Sequence, residues 1–180
     1  MKAQFFILGA VLVCALFLIG LPFYGPEARS GKGDLKFVSE NIEMELPRAF
    51  NLGMKSGSGT QNLASFSIFV KNSILQQSKQ LRLFWVVAEP WESDLVVTAG
   101  NFMGKETNPI ITVDGSQWEF NIEDGEMQSR VFSGIPDRFD IEINFEGKAK
   151  TTQWVRNKAN LYGFIEIKRG NDISVREVES

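Results

Sequence analysis

The feature that most constrains this chain is an uncharged apolar run near its amino end. Residues 5–21 read FFILGAVLVCALFLIGL, and no charged side chain occurs between Lys2 and Glu27. A helix of about twenty such residues covers ~30 Å, the thickness of one hydrocarbon core. We therefore predict one transmembrane helix that anchors the chain in the cell membrane. Its predicted anchor residues include Phe5, Phe6, Leu8, Gly9, Leu12, Leu16, Leu18 and Leu21.

The residues that follow the run distinguish a retained span from a cleaved secretory signal peptide. A signal peptide has an apolar region of about 7–15 residues and then a small-x-small cleavage site. Here the run is longer, and residues 21–26 read LPFYGP, which is a poor cleavage site. A retained span is favoured, and cleavage after Ala28 is the open alternative. Charge counting on the two sides of the run does not settle the orientation.

The first four residues, Met1-Lys2-Ala3-Gln4, precede the apolar run directly. This arrangement resembles the class III signal peptide of archaeal type IV pilin-like proteins. The resemblance implies that a prepilin peptidase cuts between Ala3 and Gln4 and that the apolar helix stays on the mature protein. It also implies other pilin-like subunits as partners, besides the lipid bilayer. Leu8 stands where pilins usually carry Glu, which fits a minor subunit better than a major fibre subunit. A plain signal-anchor is the alternative.

Beyond the run, a hinge rich in proline and glycine separates the anchor from a patterned region. Pro22, Gly25 and Pro26 are followed by Ser30-Gly31-Lys32-Gly33, a composition that ends or kinks a helix. The expected divisions are an anchor at 1–26, a hinge at 27–33, a helical segment at 34–80 and a strand-rich head at 81–180.

Two amphipathic helices are predicted in the helical segment. In the first, apolar residues recur at three and four positions; they are Leu35, Val38, Ile42, Leu46, Phe50 and Met54. Pro47 lies inside this stripe and predicts a kink or a division near Leu46. The second helix is predicted over 61–78, with Leu63, Phe66, Val70 and Ile74 on one face. Both stripes are expected to pack against the rest of the domain.

Alternation with period two begins at Leu81 and predicts eight or nine short strands. They are expected at 81–88, 94–99, 110–113, 117–122, 129–133, 139–145, 150–155, 161–168 and 173–178. The first is apolar on nearly both faces, as in a central strand. Turns every 8–12 residues are typical of an antiparallel sandwich or barrel. All four tryptophans fall in this half of the chain, which suits a small sandwich core. The predicted fold is therefore α+β, with an Ig-like β-sandwich.

The composition argues against most catalytic chemistry. The chain has no histidine, and its one cysteine, Cys14, lies in the apolar run. We predict no catalytic, cofactor-binding or metal-binding residue and no cofactor. A calcium site at Glu119, Glu123, Asp124 and Glu126 is the minor alternative to solvated turn carboxylates. The net charge of −3 and the lack of a basic run argue against nucleic-acid binding. We expect four basic residues on the solvated face and at the ends of one strand, and the alternative is a contact with an acidic partner or a surface polymer; they are Lys148, Lys150, Arg156 and Lys158.

Three functional hypotheses follow from these features. The leading one is a non-enzymatic, membrane-anchored, extracytoplasmic pilin-like or cell-envelope protein, minor or structural and adhesive. The alternative is a monomeric signal-anchored binding module with no role in filaments. The second alternative is a carboxylate-based envelope enzyme.

Overall fold

The computed structural model describes residues 32–180. The predicted anchor, with the processing residues Lys2, Ala3 and Gln4, lies outside the described residues, and so do residues 27–31 of the predicted hinge. No helix in the described part of the chain is long and apolar enough to cross a membrane.

Two helices come first, α1 (Lys32–Met54) and α2 (Gly59–Gln76). Nine strands follow, which are β1 (Gln80–Trp91), β2 (Asp94–Phe102), β3 (Ile110–Val113), β4 (Ser116–Glu119), β5 (Glu126–Phe132), β6 (Arg138–Phe145), β7 (Lys148–Val155), β8 (Asn160–Arg169) and β9 (Asp172–Glu179). Each lies where a helix or a strand was predicted, with bounds that shift by a few residues.

The strands form two antiparallel sheets. The larger sheet has the order β5-β2-β1-β8-β9, and the smaller has the order β4-β3-β6-β7. On the larger sheet, α1 contacts β8 and β9, while α2 contacts β1 and β2. The molecule therefore has three layers, and the coarse prediction of an α+β fold with antiparallel sheets is confirmed.

The three inner strands of the larger sheet, β2, β1 and β8, are buried on both faces over most of their length, and this explains their apolar sequences. In β1, Leu83 and Trp85 pack against the helices, whereas Phe84 and Val86 pack between the two sheets. Because successive side chains of a strand point to opposite faces, a strand between two cores is apolar throughout. The prediction that residues 81–88 form a central strand is confirmed.

The tryptophans do not all lie in the sandwich core, so that expectation is wrong. Trp118 and Trp154 are buried between the sheets. Trp85 faces the helices instead, and its Nε1 donates a hydrogen bond to Ser67 Oγ at 3.1 Å. Trp91, at the end of β1, is 59% exposed. The cause is alternation, since positions 85 and 91 fall on the face of β1 that points away from the second sheet.

Helix α1 runs without a break through Pro47, so the predicted division near Leu46 is wrong. Leu46 and Phe50, on either side of the proline, are both buried in the helix–sheet core. Close packing at Leu46 depends on Gly163, where a Cβ would lie 2.5 Å from Leu46 Cδ2. Packing against the sheet therefore outweighs the local cost of the proline.

Strand β4 ends at Glu119, three residues before the predicted end. Beyond it, Ile122 forms an isolated bridge with Thr107 of the β2–β3 connection. Thr107 and Ile122 exchange two backbone hydrogen bonds at 3.0 Å, so the β2–β3 and β4–β5 connections stay joined beyond the end of β4.

Candidate functional site

The candidate site in the described residues is an open cleft of about 500 Å³. It lies where the β2–β3 connection, the β4–β5 connection and the β6–β7 turn meet. Its lining is polar and consists of Glu106, Thr107, Asn108, Asn121 and Glu146.

The buried amide of Asn101, at the end of β2, holds the two connections together. Its Nδ2 donates to Lys105 O at 2.8 Å and to Ile122 O at 2.9 Å, and its Oδ1 accepts from Met103 N at 3.0 Å. This side chain thus adds three hydrogen bonds to the two that the Thr107–Ile122 bridge supplies between the backbones. The connections that line the cleft are therefore held in a defined position.

Asp124 also links the segments around the cleft. Its Oδ1 accepts a hydrogen bond from Gly104 N at 2.8 Å, and its Oδ2 forms an ion pair with Lys71 of α2. This carboxylate therefore joins the helix layer to both connections.

Glu146, one of the residues that line the cleft, belongs to a chain of five side chains with alternating charges. Glu146 pairs with Arg82, and its Oε1 lies 2.8 Å from Lys105 Nζ. Arg82 Nη1 lies 2.9 Å from Glu166 Oε1, and Lys168 Nζ lies at the same distance from that oxygen. Arg82 and Glu166 stand directly opposite each other on β1 and β8. The chain of charges closes this end of the inter-sheet core.

Glu166 is the most buried acid in this chain of charges. Burial by itself would raise the pKa of its carboxyl, but hydrogen bonds from Lys168 and Arg82, together with their positive charges, lower the pKa below its ordinary value. Glu166 is therefore held ionised between two cations.

The chemistry of the cleft suits a neutral polar ligand better than a cation. Asn108 and Asn121 offer amide donors and acceptors, and Glu106 offers an exposed carboxylate. The charge of Glu146 is already balanced by Arg82 and Lys105. Among residues 32–180, no three acidic, histidine or cysteine side chains converge as a metal site would require.

The acidic residues singled out in the sequence surround the β4–β5 connection without converging. Glu119 ends β4, Glu126 begins β5, and Asp124 is engaged by Gly104 and Lys71. Asp124 therefore ties neighbouring segments together, whereas Glu119, Glu123 and Glu126 are exposed to solvent.

Three of the four predicted basic residues make contacts that tie neighbouring elements. Lys150 Nζ lies 3.3 Å from a carboxylate oxygen of Glu179, and Arg156 Nη2 lies 2.8 Å from Asp137 Oδ1. The ammonium of Lys148 lies 4.6 Å from the centroid of the Phe164 ring. These contacts join β7 to β9, the end of β7 to the loop before β6, and the β6–β7 hairpin to the larger sheet.

Sequence reasoning missed the cleft, because its lining residues are common polar types without a spacing pattern. The only available signal was the segment between Phe102 and Ile110, which is rich in polar residues, glycine and proline. No protein-family model matches this chain, and no curated protein matches it at a significant level.

Proposed function

We propose that this protein is a non-enzymatic, single-pass membrane protein of the pilin-like or cell-envelope kind, with its C-terminal domain outside the cytoplasm. The observation that carries the proposal is the uncharged run of residues 5–21. Such a run is far more stable in hydrocarbon than in water, and burying it in lipid needs no partner protein. The head is, in this proposal, an Ig-like sandwich, which the two antiparallel sheets support.

The closed cores of residues 32–180 support a structural or adhesive role. The larger sheet covers the apolar stripes of both helices, so the head does not need the anchor to complete its core. In this proposal the span concentrates the head at the membrane, and the hinge lets it reorient.

Two measurements test the anchor and its processing. Sequencing of the mature amino terminus is expected to give Gln4, the product of a prepilin peptidase; a start at Met1 would indicate a plain signal-anchor. Extraction of membranes with alkaline carbonate should leave the protein in the pellet. Recovery of full-length protein in the soluble fraction would overturn the proposal.

A matched pair of variants separates anchoring from processing. Leu12→Arg places a charge at the centre of the run and should release the protein from the carbonate-washed membrane. Ala3→Leu changes the small residue before the predicted cleavage site and should block processing while the protein stays in the pellet. Release by both variants would contradict the two-part assignment.

A second candidate function, a monomeric anchored binding module, is favoured by the polar cleft. Amide and carboxylate groups on two fixed connections are suited to hydroxyl-rich ligands such as neutral oligosaccharides. A panel of such oligosaccharides tested against the native protein and the Asn121→Ala variant checks this function. Selective loss of binding in the variant would support it, and detection of the protein in sheared surface filaments would favour the pilin-like assignment.

A further inference from the structure

The outward side of the helix layer carries an apolar face that the head does not cover. Between 48% and 66% of each of its five large side chains is exposed. We name this set the outer apolar face, and it consists of Phe37, Met44 and Leu52 on α1 and Ile68 and Leu75 on α2. Phe37 and Met44, like Ile68 and Leu75, are seven positions apart, so each pair projects from one side of its helix.

The charges around this face differ from those of the rest of the molecule. Residues 32–76 contain five basic and four acidic residues, whereas residues 77–180 contain twelve basic and seventeen acidic residues. Helix α2 itself carries a single charge, Lys71, which pairs with Asp124. The helix segment thus has a net charge of +1 and the rest of the head a net charge of −5, so an anionic surface favours the helix layer over the rest of the head.

The four acids of the helix layer are all engaged by cations. Asp34 pairs with Lys79 at 2.8 Å, and Glu45 pairs with Arg48 at 2.6 Å. Glu40 lies 3.8 Å from Lys36 Nζ, and Arg176 lies within 3.6 Å of both Glu40 and Glu43. Because their charges are balanced, these carboxylates add little repulsion when the layer approaches negatively charged headgroups.

The position of the tether selects a membrane as the surface that meets this face. Ten residues separate Leu21, at the end of the apolar run, from Lys32, at the start of α1, and they reach at most ~35 Å. Phe37 lies in the second turn of α1, close to that attachment. A short tether supplies a high effective concentration, so a weakly binding face is enough for docking.

We propose that the outer apolar face docks onto the headgroup region of the bilayer that anchors the chain, so that α1 and α2 lie along the membrane surface and the smaller sheet points away from it. This inference rests on the proposed anchor. It assigns the helix layer a second contact with lipid, in the manner of interfacial amphipathic helices.

The test uses the full-length chain with Cys14→Ala, reconstituted in nanodiscs that hold one copy each. The discs contain equal parts of phosphatidylcholine and phosphatidylglycerol and a lipid that bears a nitroxide at its headgroup. A fluorophore is attached at Ile68→Cys on the helix layer or at Thr151→Cys, an exposed position of β7. Quenching at position 68 is expected to exceed quenching at position 151 several-fold. Met44→Gln with Leu75→Gln should remove most of that difference and leave the circular dichroism unchanged.

Flotation of the same protein with vesicles in alkaline buffer separates this inference from the proposed function. Failure to float would overturn the anchor, and docking would fall with it. Flotation with equal or no quenching at the two positions would overturn docking alone. A difference that appears only in discs with two copies would identify a second chain as the occupant and would also overturn docking on lipid.

Discussion

At the residue scale, Glu166 shows how charge closes one end of the inter-sheet core. Its carboxylate is buried between Arg82 and Lys168, and its pKa is lowered from the ordinary value of 4.5. A carboxyl whose pKa is lower in the folded state contributes stability above its unfolded pKa, and that contribution is lost as the pH falls through the folded pKa. The contribution should therefore be complete at neutral pH.

The variant Glu166→Gln is expected to lower the free energy of unfolding at pH 7 by ~1–3 kcal/mol, because it leaves two cations without their shared anion. The deficit should begin to shrink as the pH falls below the ordinary pKa of 4.5, because the unfolded chain then binds the proton, and it should vanish once the pH is below the lowered pKa of the folded carboxyl. Urea unfolding between pH 7 and pH 3 measures both effects. Glu142→Gln, on the exposed side of β6, is the control and should be nearly neutral. A deficit that stays constant with pH would contradict the charge argument.

Gly100 of β2 is a second residue with a specific steric role. A Cβ at this position would lie 2.3 Å from Cε2 and Cζ2 of the buried Trp85 ring. Gly100→Ala is therefore expected to destabilise the fold by ~1–3 kcal/mol, since the ring or the strand must shift. Gly33→Ala is the matched control, because a Cβ there meets open space. Equal urea midpoints for the two variants would refute the steric reason.

At the scale of elements, α1 carries a cost that its packing outweighs. Pro47 has no backbone N–H to donate to Glu43, and its ring crowds that carbonyl. Pro47→Ala should therefore raise the free energy of unfolding by ~1–2 kcal/mol, less than the full helix penalty because proline also restrains the unfolded chain. Thermal unfolding checks this, with Arg48→Ala as a neighbouring control that leaves the helix backbone unchanged. A lower melting temperature for Pro47→Ala would mean that the proline fits α1 without cost.

The elements were predictable from the sequence to the extent that periodicity reports burial. The stripe from Leu35 to Phe50 and the two-sided β1 strand are examples, because their side chains face one core or two. Periodicity does not indicate which of the two cores, the inter-sheet core or the helix–sheet core, a residue enters. Trp85 and Trp118 have equally apolar side chains, and only the assembled sheets place one under the helices and the other between the sheets. The cleft was missed for the same reason, since Thr107 and Glu146 meet through tertiary structure alone.

At the scale of the whole molecule, the helix layer and the larger sheet share one hydrophobic core. Most helix-facing side chains of β1 and β8, among them Leu83, Val87 and Ile165, are completely buried in the core that these strands share with α1 and α2. A sequence-based boundary at residue 80 therefore separates two segments whose apolar faces cover each other. Hydrophobic burial of this kind favours folding as one unit.

This arrangement predicts different behaviour for two truncated chains. A fragment of residues 32–180 should unfold in one cooperative transition, with the blue-shifted emission of buried tryptophan. A fragment of residues 77–180 should instead aggregate or bind a hydrophobic dye, because Trp85 and its neighbours lose their cover. Urea unfolding and dye fluorescence measured side by side distinguish the two fragments. A cooperative transition of residues 77–180 at the midpoint of the longer fragment would show that the sandwich is independent of the helices and would support the boundary at residue 80.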